Sequence, residues 1–144
     1  MQAAGEQLAI VSTIDPQTVT SMPQTGDYVD MSKYHSVAFF FALGDMAAET
    51  IDASVLEATS SAGAGAQALK AATQLAAHAS NNDLKQIVIE VNASDLTAGF
   101  RYVAPKLVTG STTGGPASCV GLAYKSRNNP ASDGDLASVV QIKR

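Results

Sequence analysis

The feature that most constrains this chain is a period of two in its hydrophobic residues, repeated in short segments with turn residues between them. Gln86-Ile87-Val88-Ile89-Glu90-Val91-Asn92 is the cleanest case, with Ile87, Ile89 and Val91 on one parity and Gln86, Glu90 and Asn92 on the other. Successive side chains of a β-strand point to opposite faces, so this spacing predicts a strand with one buried face. Thr50 to Ala58 alternates in the same way, with Ile51, Ala53 and Val55 opposite Thr50, Asp52 and Ser54. Gln7 to Ile14 places Leu8, Ile10 and Ile14 on one parity and is read as a strand ended by Asp15-Pro16. Further strands are expected over Phe100 to Val108, Ala117 to Lys125 and Leu136 to Lys143, with Pro105 marking an edge or a bulge.

The run Val37-Ala38-Phe39-Phe40-Phe41-Ala42-Leu43 is apolar on both parities. Val37, Phe39, Phe41 and Leu43 share one face, and Ala38, Phe40 and Ala42 share the other. Such a strand is buried on both faces, or buried on one and covered by a partner on the other. Phe40, on the minority face, is therefore a candidate partner contact.

Between the strands lie polar, turn-rich connections. Residues 16 to 36 form a long one around Pro23, Gly26 and Asp27-Tyr28-Val29-Asp30. Asn128-Asn129-Pro130 and Ser132-Asp133-Gly134-Asp135 read as turns, and Ala93 to Gly99 as a single helical turn closed by Gly. Residues 66 to 79 are rich in alanine and suit either a short helix or an extended excursion. Seven or eight short strands in 144 residues predict one all-β domain, a β-sandwich or barrel, for which a jelly-roll-like antiparallel β-sandwich is a natural eight-strand solution, with extended N-terminal and C-terminal segments.

Composition narrows function by what it withholds. Only 15% of residues are charged and the net charge is −4, a surface suited to contact with other protein. Basic residues are scattered singly, apart from Lys143-Arg144, so no direct nucleic-acid partner is expected. The N-terminus does not read as a signal peptide, and the longest apolar run is too short to span a bilayer, so no membrane role is expected. The inventory for catalysis is thin. There are two histidines, His35 and His78, and one cysteine, Cys119, inside a predicted strand and read as a small buried side chain. Asp133 and Asp135 lack the further ligands of a calcium loop, and the glycine-rich Gly110 to Pro116 precedes a strand, not a helix. The chain is expected not to be an enzyme and to carry neither cofactor nor metal.

Four segments in order carry a family resemblance: Val29-Asp30-Met31-Ser32-Lys33-Tyr34 leading into the apolar strand, Gln86 to Val91, Phe100-Arg101-Tyr102-Val103, and Tyr124-Lys125-Ser126-Arg127-Asn128-Asn129-Pro130. Over residues 26 to 131 the chain resembles small structural proteins of tailed phages, and among them the capsid cement (decoration) proteins of Bordetella-type podophages. The chain departs from that pattern at Ala64 to Ala79, where relatives often carry a loop of Asp, Gly and Thr. The resemblance implies a jelly-roll protein on the outer capsid surface of the virion, present in host cytoplasm during assembly. It would clamp neighbouring major capsid subunits and associate with itself, as a homodimer rather than a homotrimer. The resemblance brings no catalytic residues. Candidate partner contacts are Phe40, Tyr28, Arg127, Lys143 and Arg144. Other readings are a tail or head–tail joining subunit, or a carbohydrate-binding jelly roll. The last is disfavoured because the chain has no Trp to stack on a sugar.

Overall fold

In a computed structural model of the chain, the described residues are 7–46, 50–75, 84–110, 112–127, 137–139 and 141. The alternating segments pair as nine antiparallel strands: β1 (Leu8–Val19), β2 (Gln24–Thr25), β3 (Val29–Asp30), β4 (Tyr34–Leu43), β5 (Ile51–Ala58), β6 (Gln67–Ala71), β7 (Gln86–Asn92), β8 (Tyr102–Thr109) and β9 (Gly115–Ser126). They form two sheets, one ordered β1-β9-β4-β7 and the other β2-β8-β5-β6, with β3 also on β8. With β2 and β3 taken as one interrupted strand, this is the jelly-roll connectivity of two interleaved four-stranded sheets.

The two inner faces meet in one core. Val37, Phe39, Phe41 and Leu43 of β4 pack with Ile51, Ala53 and Val55 of β5, Ile89 and Val91 of β7, and Val103 and Leu107 of β8. The inward parity expected for β4, β5 and β7 is the one observed. β9 lies between β1 and β4 and turns its small residues, Ala117, Cys119, Gly121 and Ala123, to the core. The Phe rings of β4 take the space. A Cβ on Gly121 would stand 2.8 Å from the Phe39 ring.

Several expectations are corrected. Asp15-Pro16 does not end β1. It sits in a register shift between Ile14 and Gln17, and the strand continues to Val19. A second shift between Ile10 and Ser12 leaves Val11 as an extra residue. A bulge reverses which parity faces the core. Ala9 and Val11 are therefore buried ahead of it, Ser12 and Ile14 after it, while Leu8 and Ile10 face outward.

The alanine-rich stretch is extended, not helical, where described. Gln67–Ala71 pairs with β5, and Leu75 bridges to Ile51. Alanine's helical preference amounts to a few tenths of a kcal/mol per residue, and a stripe of methyl groups offers a helix little to bury. As a strand with a register shift opposite Val55 and Leu56, the segment lays Leu69 against the core.

The turn at Ala93–Asp95 is a 3-10 turn, and Gly99 lies beyond it in a separate turn closed from Phe100 N to Thr97 O at 2.9 Å. The last predicted strand is not formed at its described residues. Ala137 and Ser138 are in a turn, and half of the residues from Leu136 to Lys143 lie outside the described residues, as do the turns at 128–130 and 132–135. Pro105 is in β8 and its carbonyl accepts from Gly26 N at 3.0 Å, in the gap between β2 and β3. In an antiparallel strand a residue's N–H and C=O point to the same neighbour, so the missing donor faces that gap and costs β5 nothing.

Candidate contact surface

Residues directly opposite one another in antiparallel strands share a face. The register of the first sheet therefore assembles its outer face row by row. Val88, Phe40, Val120 and Thr13 form one row, and Glu90, Ala38, Leu122 and Ile10 the next. Asn92, Ser36, Tyr124 and Leu8 form a third. An antiparallel sheet with one solvated face normally alternates apolar and polar. Here the outer face is apolar through its middle, with Phe40 and Val120 at 37% and Val88 at 55% exposure, and Leu8 on the edge strand β1 is 40% exposed. The larger residues of β9, Val120 and Leu122, point away from the core because its inner positions have room only for small ones.

The third row is polar and leads to a pocket of about 550 Å³ at the end of the sheet. It is lined by His35 at the start of β4, Lys125 and Arg127 at the end of β9, Ser36, and Asn92 and Ser94 from β7 and the 3-10 turn. Lys125 has φ 53°, in the left-handed region. Strict alternation after the outward Tyr124 would aim Lys125 inward, and this backbone turn leaves it exposed beside the pocket instead. Arg127 is tied down through its backbone, whose N–H donates to Lys33 O at 2.8 Å.

The opposite wall is braced from the second sheet. Lys70 Nζ of β6 donates to Asp95 Oδ2 at 2.6 Å and to Glu90 O at 2.9 Å, while Asp95 also accepts from Asn92 N at 2.9 Å. Lys70, with the Asn92 bond behind it, holds the Asp95 carboxyl below its ordinary value. Ser36 Oγ donates to Asn92 Oδ1 at 2.8 Å. Glu57, 1% exposed on β5, accepts from Thr97 N at 2.8 Å and Gln67 Nε2 at 2.7 Å. Burial pushes the Glu57 carboxyl up, but the bonds from Thr97 and Gln67 outweigh it and hold it below the usual range.

The nearby carboxylates are engaged elsewhere: Asp95 with Lys70, Glu90 with the Tyr124 hydroxyl, and Asp30 with Arg101 Nε at 2.7 Å. Burial, with the Glu90 carboxylate beside it, pushes the Tyr124 phenol up. Arg101 holds Asp30 far below the usual carboxylate range, which makes Asp30 a structural anchor between β3 and β8.

Of the sequence-predicted contacts, Phe40 stands on the outer face and Arg127 in the pocket, so one sheet carries both. Tyr28 is apart from them, half-buried between β2 and β3. Its ring lies against Gly63, where a Cβ would come within 2.7 Å, and it lines a smaller pocket of about 270 Å³ with Asp30, Lys33, Ser61 and Tyr102. Lys143 and Arg144 lie outside the described residues. Of the N-terminal segment, Leu8–Val19 is built into the sheet. The sequence reading missed Val88, Val120, Leu122, His35 and Lys125. Val88 alone left a signal, as an apolar residue on the polar parity of β7.

Cys119 is buried, and burial pushes its thiol up to about 12, as befits an inert core side chain. Among the described residues no group of three or more His, Cys, Asp or Glu is placed to hold a metal ion, and no helix is long and apolar enough to cross a membrane. No protein-family model matches the chain, and no curated protein matches it.

Proposed function

We propose that this protein is a virion structural subunit, a cement protein that binds the outer surface of an icosahedral phage head and clamps neighbouring major capsid subunits. The observation that carries the reading is the apolar row Val88–Phe40–Val120, flanked by Leu122, Ile10 and Leu8, whose three large side chains stay exposed in the middle of the sheet face. An apolar patch rimmed by polar residues marks a surface that meets protein. The low charge of the chain and its resemblance to podophage cement proteins support the same reading. A jelly roll supplies a rigid platform, and many modest contacts repeated over a capsid lattice add to a large stabilisation.

The test is to mix purified protein with heads that lack it and to image the particles. Regular density at capsomer boundaries is expected, and Phe40→Asp with Val88→Asp should abolish it while leaving the circular dichroism unchanged. Density confined to the tail vertex would favour a tail or head–tail joining subunit. Absence of binding would overturn both readings. Light scattering reads the self-association, for which a dimer is expected.

A further inference from the structure

We propose that the pocket at the end of the first sheet binds the carboxylate of an acidic protein segment. It brings together His35, Lys125 and Arg127 in a chain whose formal charge is −4. None of the three has a carboxylate partner among the described residues, because the acids nearby are held by Lys70, Tyr124 and Arg101. A guanidinium offers two parallel donors that match a carboxylate, and the Lys ammonium adds a point charge. Ser94 adds a hydroxyl at the rim.

The walls are preorganised. Asn92 is fixed by Ser36 and Asp95, and Asp95 is fixed by Lys70, so a ligand has little of this wall to order. At about 550 Å³ the pocket has room for an acidic side chain and the backbone that carries it. Two features favour a protein carboxylate over phosphate. The cations come from the side chains of Lys125 on β9 and Arg127 just after it, without the run of glycine amides that cradles a phosphate. The polar row beside the pocket borders the row of Ala38, Leu122 and Ile10, with Phe40 one row further on, so a segment with an acid at one end and apolar residues beyond it fits both.

This inference rests on the proposed function only in taking the partner to be protein, and its test uses no phage heads. Isotope-labelled protein is titrated by NMR with a synthetic hexaglutamate peptide and, separately, with inorganic phosphate. Saturable shifts are expected at His35, Ser94, Lys125 and Arg127, weakening as salt is raised. Lys125→Glu with Arg127→Glu, both at exposed positions, should weaken peptide binding about ten-fold or more, as loss of charge-assisted contacts implies. Lys85→Glu, at the far end of β7, should leave it unchanged. Peptide binding that is undetectable, or untouched by the double variant, overturns the proposal, as does phosphate saturating the pocket at lower concentration than the peptide. A pocket that binds peptide while heads bind no protein leaves this inference standing and removes the cement reading.

Discussion

Glu57 is a buried carboxylate with no cationic partner among the described residues, and replacing it tests how this fold tolerates one. Its two oxygens accept from Thr97 N and Gln67 Nε2, and the first of these bonds holds the 93–99 connection that walls the basic pocket. In Glu57→Gln one oxygen becomes an amide nitrogen. The Gln67 amide can turn over to accept from it, so both contacts survive as neutral bonds. Bonds to a charge are worth about 1.5–3 kcal/mol each and neutral ones about 0.5–1.5. The variant loses about 2 kcal/mol, part of which returns because no charge is desolvated, leaving about 1–2 kcal/mol at pH 7. For a domain of this size that lowers Tm by roughly 2–8 °C. Glu57→Ala should lose more, about 3 kcal/mol, because it also removes the partner of both donors and opens a void.

The pH dependence is the sharper part. The folded-state pKa of Glu57 is below its unfolded value, so on acidification the unfolded chain takes up the proton first. The stabilisation is fully present above the ordinary carboxylate pKa and is lost as pH falls through the folded one. Urea denaturation of wild type and Glu57→Gln at pH 7, 5 and 3.5 should show the gap narrowing toward acid. A gap constant with pH, or a variant more stable than wild type at pH 7, would refute the assignment of these bonds to an ionised carboxylate.

Four further outcomes follow from single residues. Ser12 Oγ is buried with no hydrogen-bond partner among the described residues, so Ser12→Ala should raise stability by about 1 kcal/mol in urea melts, and a loss would mean the hydroxyl is satisfied. The Cys119 thiol should react with a disulfide reagent only on unfolding, and fast labelling of the native protein would contradict its burial. Asp30→Asn should lower Tm at pH 7, with the difference closing as pH drops below about 4, since Arg101 depresses the folded-state pKa of Asp30. Gly121→Val should lower stability by about 2 kcal/mol or more by driving a branched side chain into the Phe39 ring, and an unchanged melt would show that β9 has slack there.

The strands of the first sheet show how far pattern reading goes. The inner faces of β4, β5 and β7 were legible because a period of two needs no knowledge of neighbours. β1 was misread because bulges at Val11 and Asp15-Pro16 reverse the parity, and a bulge answers to the partner strand. The 66–79 segment was ambiguous because its propensity is weak, and pairing with β5 decided it.

The contact surface divides the same way. Phe40 was visible as an aromatic residue on the minority face of its own strand. Its neighbours Val88 and Val120 come from strands distant in the chain, and only the order β9-β4-β7 lays them in one row. His35, Lys125 and Arg127 read as isolated residues until β4 and β9 pair and bring their ends to one pocket. By itself the sequence determined the all-β class, the inward residues of its regular strands and the scarcity of charge, since these rest on local alternation and composition. Tertiary structure alone decided which apolar residues are left facing out and which cations meet, because both depend on sheet order and register, which are set by contacts between residues far apart in the chain.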